Sequence, residues 1–499
     1  MRQMLLFDEP TENFMTDNFS ADGFFPDNAR KELENHFKDK LEVTDIFNRQ
    51  TVSFQLSKKD SLHSWLRYKE GFSANLVNTL LDEFNTQPGM WIMDPFMGSG
   101  TTALVCKMRG INCIGYDVMP ISAVSIRAKA AVTHYDLKEL ESLYSAIQAL
   151  TVPATFKKQT PYIPITEGAY PEENAKFIQF ITDWIDQRRF SDISKNLLKL
   201  CIVNSLERCS YTIKSGQYLS WDGRSPKVIK INEQRAIQGR RLLPTKPVRD
   251  KIHNSKETIL EEIQHVIDDI REVQQAISDE GQAEIKFIQK SVLYELPLIP
   301  DNFLSGVITS PPYCNRYDYT RTYALELVYL GLNNEDVKIM RQNLLSCTVE
   351  SRPKIVELKN FYKKIGGENR FNYIMQKIKE NSVFTEIISA LNARKEHGDL
   401  NNNGVIRMVE SYFTELAFIY AELYRTCKTG ASVAFVNDNV RYGGEIIPVD
   451  FLSCSFAEQF GFSVKKIYTL KQQKGNSSQQ MARFGRVALR KSITVWTKE

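Results

Sequence analysis

The sequence predicts an α/β fold: a doubly wound, mostly parallel sheet with a C-terminal antiparallel strand and two largely helical insertions. Three observations predict it. Residues 90–117 read as strand, Gly-rich turn, helix, strand. Residues 306–313 read as a second buried strand that stops abruptly at Pro311-Pro312. Residues 405–499 alternate helix and strand again, after two stretches, 129–284 and 333–404, in which the alternation is lost.

Residues 1–60 are a polar, weakly patterned N-terminal extension with one predicted helix, Asn28 to Lys40. The first part of the core spans 61–128. Ser73 is placed to cap a helix from Ala74 to Phe84, because its side-chain oxygen can accept from a free amide of the first turn. An apolar strand then runs into Asp94, followed by Pro95-Phe96-Met97-Gly98-Ser99-Gly100 and a helix from Thr101 to Met108. The next strand, Ile111 to Tyr116, ends at Asp117.

Residues 129–284 form the first insertion. Apolar residues recur at helical spacing: Phe177, Phe180, Ile181, Trp184 and Ile185, then Leu197, Leu198, Leu200, Cys201 and Ile202. Beyond Lys214–Trp221, the stretch Arg224–Lys251 carries nine Lys/Arg against two acids. Arg240-Arg241 with Pro244 and Pro247 predicts an exposed, non-helical segment there. Asn254 and Glu257 form a capping-box pattern ahead of a helix reaching Asp279. Its seam of Ile259, Ile263, Val266, Ile270, Val273 and Ile277 reads as packing within the chain in preference to a dimer contact.

The second part of the core, 285–332, holds predicted strands Phe287 to Leu293 and Gly306 to Ile308, the Pro-Pro turn, and an apolar helix from Ala324 to Leu332. Between them, Asn315–Tyr323 interleaves aromatics with charge. The second insertion, 333–404, is basic: residues 351–395 contain ten Lys/Arg against four acids. The third part of the core, 405–499, is expected to hold a helix Val409–Cys427 stopped near Gly430, a strand Ser432–Val436, a helix Pro448–Gln459 and a strand Val464–Leu470. A last strand, Ser492 to Trp496, is expected antiparallel to the one before it.

Two loops carry chemistry. Gly98 and Gly100 let the backbone bend tightly beside a ligand, and the helix start at Thr101 offers free amides to an anionic group. Asp117, about 20 residues past the Gly-rich turn, is placed to bind a ribose. The glycine pattern is incomplete for a dinucleotide, and it suits a nucleoside cofactor bearing a carboxylate, S-adenosylmethionine. At the other loop, Ser310-Pro311-Pro312-Tyr313 sets a hydroxyl, a backbone carbonyl and a ring side by side. Those groups can grip a planar base by its amino group and stack on its face.

Together the loops resemble the amino-group DNA methyltransferases, whose cofactor loop reads Asp-Pro-Phe-x-Gly-x-Gly-Thr and whose catalytic loop reads Ser/Asp/Asn-Pro-Pro-Tyr/Phe. Both are present, at Asp94–Thr101 and Ser310–Tyr313. The resemblance implies a Rossmann-like methyltransferase sheet, S-adenosylmethionine as methyl donor, and base flipping out of double-stranded DNA. It implies cofactor contacts from Lys69, Phe72 and Ser73, from Asp94, Pro95, Phe96, Gly98, Ser99, Gly100, Thr101 and Thr102, from Asp117, and from Ser291, which stands where the family often carries an acid. Ser310, Pro311, Pro312 and Tyr313 would be catalytic, with the extruded base stacked on Tyr313. Lys214, Arg224, Arg240, Arg241, Arg316 and Tyr319 are candidates for DNA contact. Ser at the first loop position is commoner in members acting on cytosine N4; adenine N6 is the alternative, and a guanine-N2 RNA methyltransferase a more distant one.

Composition excludes little else. The 499 residues carry a formal net charge of +4, so any nucleic-acid surface must be local. Eight scattered cysteines with no Cys-x-x-Cys pair, and six unclustered histidines, argue against a metal site and for a reducing cytoplasm. No run has the length of a membrane helix. The expected partners are double-stranded DNA and a cognate restriction endonuclease or other defence protein, with the chain a monomer or dimer.

Overall fold

A computed structural model of the chain describes residues 15–44, 46–48, 50–53, 56, 60–68, 71–215, 218–276, 283–470, 483–485 and 487–499. Its centre is an eight-stranded sheet: β1 (Leu41–Val43), β2 (Trp91–Asp94), β3 (Asn112–Tyr116), β4 (Ile285–Ile288), β5 (Leu304–Thr309), β6 (Cys427–Asp438), β7 (Phe462–Leu470) and β8 (Lys491–Lys498). The spatial order is β1-β7-β8-β6-β5-β2-β3-β4. Every neighbouring pair is parallel except those made by β8, which runs antiparallel between β7 and β6. The fold is therefore the expected Rossmann-like one.

Chain order moves outward from β2 through β3 to β4 on one side, and from β5 through β6 on the other. It reverses between β2 and β5, whose register is Ile92 with Gly306 and Met93 with Val307. In a sheet of this kind, ligands bind outside the carboxyl ends of the strands at such a reversal. The Gly-rich turn leaves β2 and the Pro-Pro turn leaves β5, so both open into the same crevice.

The helices Ala74–Glu83 and Thr101–Met108 stand where the sequence puts them, and Ser73 Oγ caps the first by accepting from Leu76 N at 3.4 Å. The insertions are largely helical. The first holds Leu137–Ala149, Glu172–Asp186, Asp192–Ser205, Pro226–Ile237 and Ser255–Ala276, with a hairpin of Thr212–Ser215 and Tyr218–Trp221. The seam residues Ile259, Ile263, Val266, Ile270 and Val273 are buried in the main core, as packing within the chain requires; Ile277 lies outside the described residues. The second insertion is four helices between Asn334 and Glu396.

Two local expectations are corrected. The strand placed at Phe287–Leu293 is Ile285–Ile288, and Val292–Glu295 is a helical turn with Ser291 at its N-cap. Gly430 does not end a helix. That helix, Gly404–Thr426, passes directly into β6, where Gly430 has φ +83°. There the register with β5 slips between Leu304–Cys427 and Gly306–Ser432, and a residue without Cβ relieves the bulge. Within the basic run, Pro226–Ile237 is helical, and the segment Arg240–Pro247 is irregular and largely exposed, as expected. The N-terminal extension also supplies β1, an edge strand paired with β7. Buried Arg30 bonds Glu386 and Glu445, and Arg490 bonds Glu34, which ties that extension to the last part of the core.

Candidate active site

The end of β2 is organised by one buried carboxylate. Asp94 Oδ1 accepts from Thr309 Oγ1 at 2.6 Å and from Phe96 N at 3.1 Å, and Oδ2 accepts from Thr102 Oγ1 at 2.7 Å. Burial pushes this carboxyl up to about 6 against the pull of those three donors. The turn that follows needs glycine twice. Gly98 has φ +51°, and a Cβ there would stand 3.0 Å from the Tyr68 ring; Gly100 has φ +85°, and its Cβ would stand 2.7 Å from Ile126 Cγ1. From beneath, the Ser99 carbonyl accepts from buried Lys129 Nζ at 3.0 Å and from Ser125 Oγ at 3.1 Å. Burial lowers the Lys129 ammonium to about 7.

Asp117 closes the other side of the turn. Its Oδ2 accepts from Gly98 N at 2.9 Å and its Oδ1 from Met119 N at 2.8 Å. Burial pushes it, too, up to about 6. Each oxygen keeps a further lone pair for a ligand hydroxyl.

A cleft open to solvent runs between the two loops. Gly98 and Asp117 line one side of it, and Ser310 and Pro312 the other. Of the expected cofactor residues, Phe72, Asp94, Pro95, Phe96, Gly98, Ser99, Thr101, Asp117 and Ser291 are in its wall. Ser73, Gly100 and Thr102 are not. Ser73 caps a helix, Gly100 packs on Ile126, and Thr102 holds Asp94. Lys69 lies outside the described residues.

In the second loop, Pro311 and Tyr313 are buried behind the wall. The Tyr313 ring is 3% exposed, and Lys491 Nζ sits 4.8 Å from its centroid. The aromatic ring that lines the cavity on this side is Tyr319, stacked 6.3 Å from Tyr68, which lines it too. Tyr68 stacks in turn on Tyr323 at 5.2 Å. Sequence reasoning passed over Tyr68, although the segment around it was in view. It also missed Asn343, Leu344 and Leu345, which the second insertion contributes to the wall and which belong to no motif.

The candidate DNA contacts separate sharply. Lys214 is buried; its ammonium bonds Glu326, lies 3.6 Å from Glu207 and sits over the Tyr323 ring. It therefore has no free charge to give a phosphate, and that expectation is corrected. Arg224 is spent within the insertion, on Asp222 and the carbonyls of Arg249 and Asp250. Arg240 and Arg241 are exposed. Arg316, at φ +68°, reaches Asn401 Oδ1 at 3.2 Å. Tyr319 is in the cavity wall, so its reach is to a ligand inside. Near it, Asp318 caps the helix Tyr319–Thr322 and pairs with Arg321 and Arg341. Much of the aromatic-charged stretch after Tyr313 is thus a buried support for the loop.

The sequence profile of the N6/N4 DNA methylase family matches residues 9–123. The type II methyltransferase M.BsoBI of Geobacillus stearothermophilus is 50% identical over 483 residues, 96% of this chain and 94% of that protein. The type II methyltransferase M.AvaI of Nostoc sp. is 35% identical over 485 residues, 96% and 95% of the two chains. The type II methyltransferase M.MjaII of Methanocaldococcus jannaschii is 34% identical over 115 residues, 23% of this chain and 20% of its own length. With half of its residues shared across almost the whole length of one such enzyme, the chain belongs to the type II DNA methyltransferases of the N6/N4 amino-group family.

Proposed function

We propose that the protein moves a methyl group from S-adenosylmethionine to the exocyclic amino group of a base flipped out of double-stranded DNA, and that the base is cytosine, modified at N4. The observation that carries this reading is the single cavity with Gly98 and Asp117 on one side and Ser310 and Pro312 on the other. The donor set fits the cofactor: a carboxylate at the end of β3 for ribose hydroxyls, a glycine where a side chain would crowd Tyr68, and Phe72 in the wall. When bound, the cofactor supplies an electrophilic methyl on a sulfonium.

The chain's own residues do the rest. An exocyclic amine is a weak nucleophile because its lone pair is delocalised into the ring. The Ser310 hydroxyl, in the cavity wall, would accept one of its hydrogens and draw the nitrogen toward tetrahedral geometry. For transfer, the two loops would have to hold it in line with the donor methyl, at a near-attack distance of about 3–3.5 Å. Transfer would form the N–C bond, leave the electron pair of the broken S–C bond on sulfur, and release one proton from the nitrogen to solvent. Tyr319 and Tyr68 offer a flat apolar wall to the cavity.

Serine at the first position of the catalytic loop supports cytosine over adenine, since in the family this resembles the N4 pattern. Arg240 and Arg241 would meet phosphates. The expected setting is a restriction-modification pair, in which methylation blocks a cognate endonuclease. The test is transfer of labelled methyl to duplex DNA, followed by nucleoside analysis. N4-methylcytosine is the expected product, N6-methyladenine would replace the target base, and transfer to transfer RNA alone would overturn the reading.

A further inference from the structure

Strands β2 and β5 carry the two halves of the site, yet their backbone ladder is short. It pairs Ile92 with Gly306 and Met93 with Val307. Beyond those pairs, β2 turns away into the glycine loop and β5 into the Pro-Pro loop. Further out they are bridged by the hydrogen bond from Thr309 Oγ1 to Asp94 Oδ1 at 2.6 Å. Thr309 is the residue immediately before Ser310, and on its other side its backbone is fixed by pairing with Phe435 of β6.

The environment makes this bond stiff. Thr309 and Thr102 are fully buried and Asp94 almost so. A short hydroxyl–carboxylate bond out of water is among the stronger hydrogen bonds. The same carboxylate holds Phe96 N at the start of the cofactor turn and Thr102 at the start of the following helix. Asp94 thus gathers three pieces of backbone, two from the cofactor side and one from the catalytic side.

We propose that Thr309 is a positioning residue: through Asp94 it sets the separation and angle between the cofactor turn and the Ser310–Pro312 loop, and so between methyl donor and amine. It touches neither. This rests on the function proposed above and assigns a task to a residue outside both loops' expected contacts. The rate of an in-line displacement is steep in that geometry, with about 10²-fold lost for a misplacement near 1 Å.

The experiment compares Thr309→Val, Thr309→Ser and Thr102→Val with the unaltered chain in single-turnover methyl transfer to duplex DNA. S-adenosylhomocysteine affinity is measured by calorimetry alongside. Thr309→Val is expected to slow transfer by about 10²-fold, with affinity for S-adenosylhomocysteine within about threefold of wild type. Thr309→Ser restores the rate. Thr102→Val, which removes a donor on the cofactor side only, weakens affinity more than it slows transfer. Should valine at this position prevent folding, Thr309→Ala answers in its place. The proposal is overturned if Thr309→Val transfers at the wild-type rate, if serine fails to rescue, or if the two threonine variants behave alike, which would mark a general loss of support for Asp94. If the unaltered chain transfers no methyl to any duplex, the functional reading itself fails and takes this inference with it. That result is told apart by the wild-type lane alone.

Discussion

The two loops at the centre of the sheet solve the same problem, presenting backbone to a ligand, with opposite means. The turn after β2 uses freedom: Gly98 and Gly100 take left-handed conformations and leave room for the Tyr68 ring and Ile126. The loop after β5 uses constraint: Pro311 and Pro312 fix φ, and the structure packs Pro311 and Tyr313 behind the cavity wall. On the function proposed above, the first loop would receive a molecule held throughout the reaction, and the second would present Ser310 rigidly to a group that arrives late. Affinity for cofactor should therefore reside in one loop, and the rate of transfer in the other.

The largest test of that division is Ser310→Ala. Turnover should fall by roughly 10²–10³-fold, in the range for loss of one hydrogen-bonding group that acts in the transition state, while cofactor affinity stays near wild type. Full activity in this variant would show that the catalytic loop is wrongly assigned. Gly98→Ala should do the converse. A side chain held at φ +51° and 3.0 Å from Tyr68 costs about 1–3 kcal/mol, so cofactor affinity should drop by roughly tenfold, with transfer at saturating cofactor little changed.

A smaller effect comes from acid. Burial raises both Asp117 and Asp94 to about 6, so each takes up its proton as pH falls through that value. A protonated Asp117 is a poorer acceptor for ribose hydroxyls. Cofactor affinity should weaken between pH 7 and 5, and Asp117→Asn should flatten the part of that dependence that Asp117 carries. For stability the sign is opposite. A carboxyl raised on folding favours the folded state most below its unfolded value, about 3.9, and that contribution fades as pH rises through 6. The smallest expected effect is at the DNA surface. Arg240→Ala with Arg241→Ala should reduce the salt slope of DNA binding by about two and leave stability within about 0.5 kcal/mol.

How much of this could be read from the sequence follows the same division. Both loops were legible because each depends on residue types with a stiff backbone requirement: glycine at positive φ, proline at fixed φ, and an acid at a strand end. The sheet around them was legible from apolar runs, and so was the inward seam of Ser255–Ala276. The cations were not. Lys214 and Arg240 stand in one stretch and look alike, yet one is buried against Glu326 and the other is exposed. The partner of Lys214 lies 112 residues along the chain, and a charge count holds no record of distance. The swap of Tyr319 for Tyr313 in the cavity wall is also tertiary: Pro312 lines the cavity, while the ring that follows it is buried. Asn343–Leu345 reach the site only through the tertiary path of an insertion, which no local pattern encodes.

The extension at the front of the chain has a consequence for how the molecule comes together. Its edge strand needs β7 as neighbour, and Glu34 finds its partner Arg490 only across 456 residues of chain. A growing polypeptide exposes this early segment long before the late strands emerge. The β7 side of the sheet is thus sealed only after residues 462–490 have emerged, and until then the segment is open to wrong partners. A slow final closing step, removed by deleting residues 15–44, is the kinetic signature to look for.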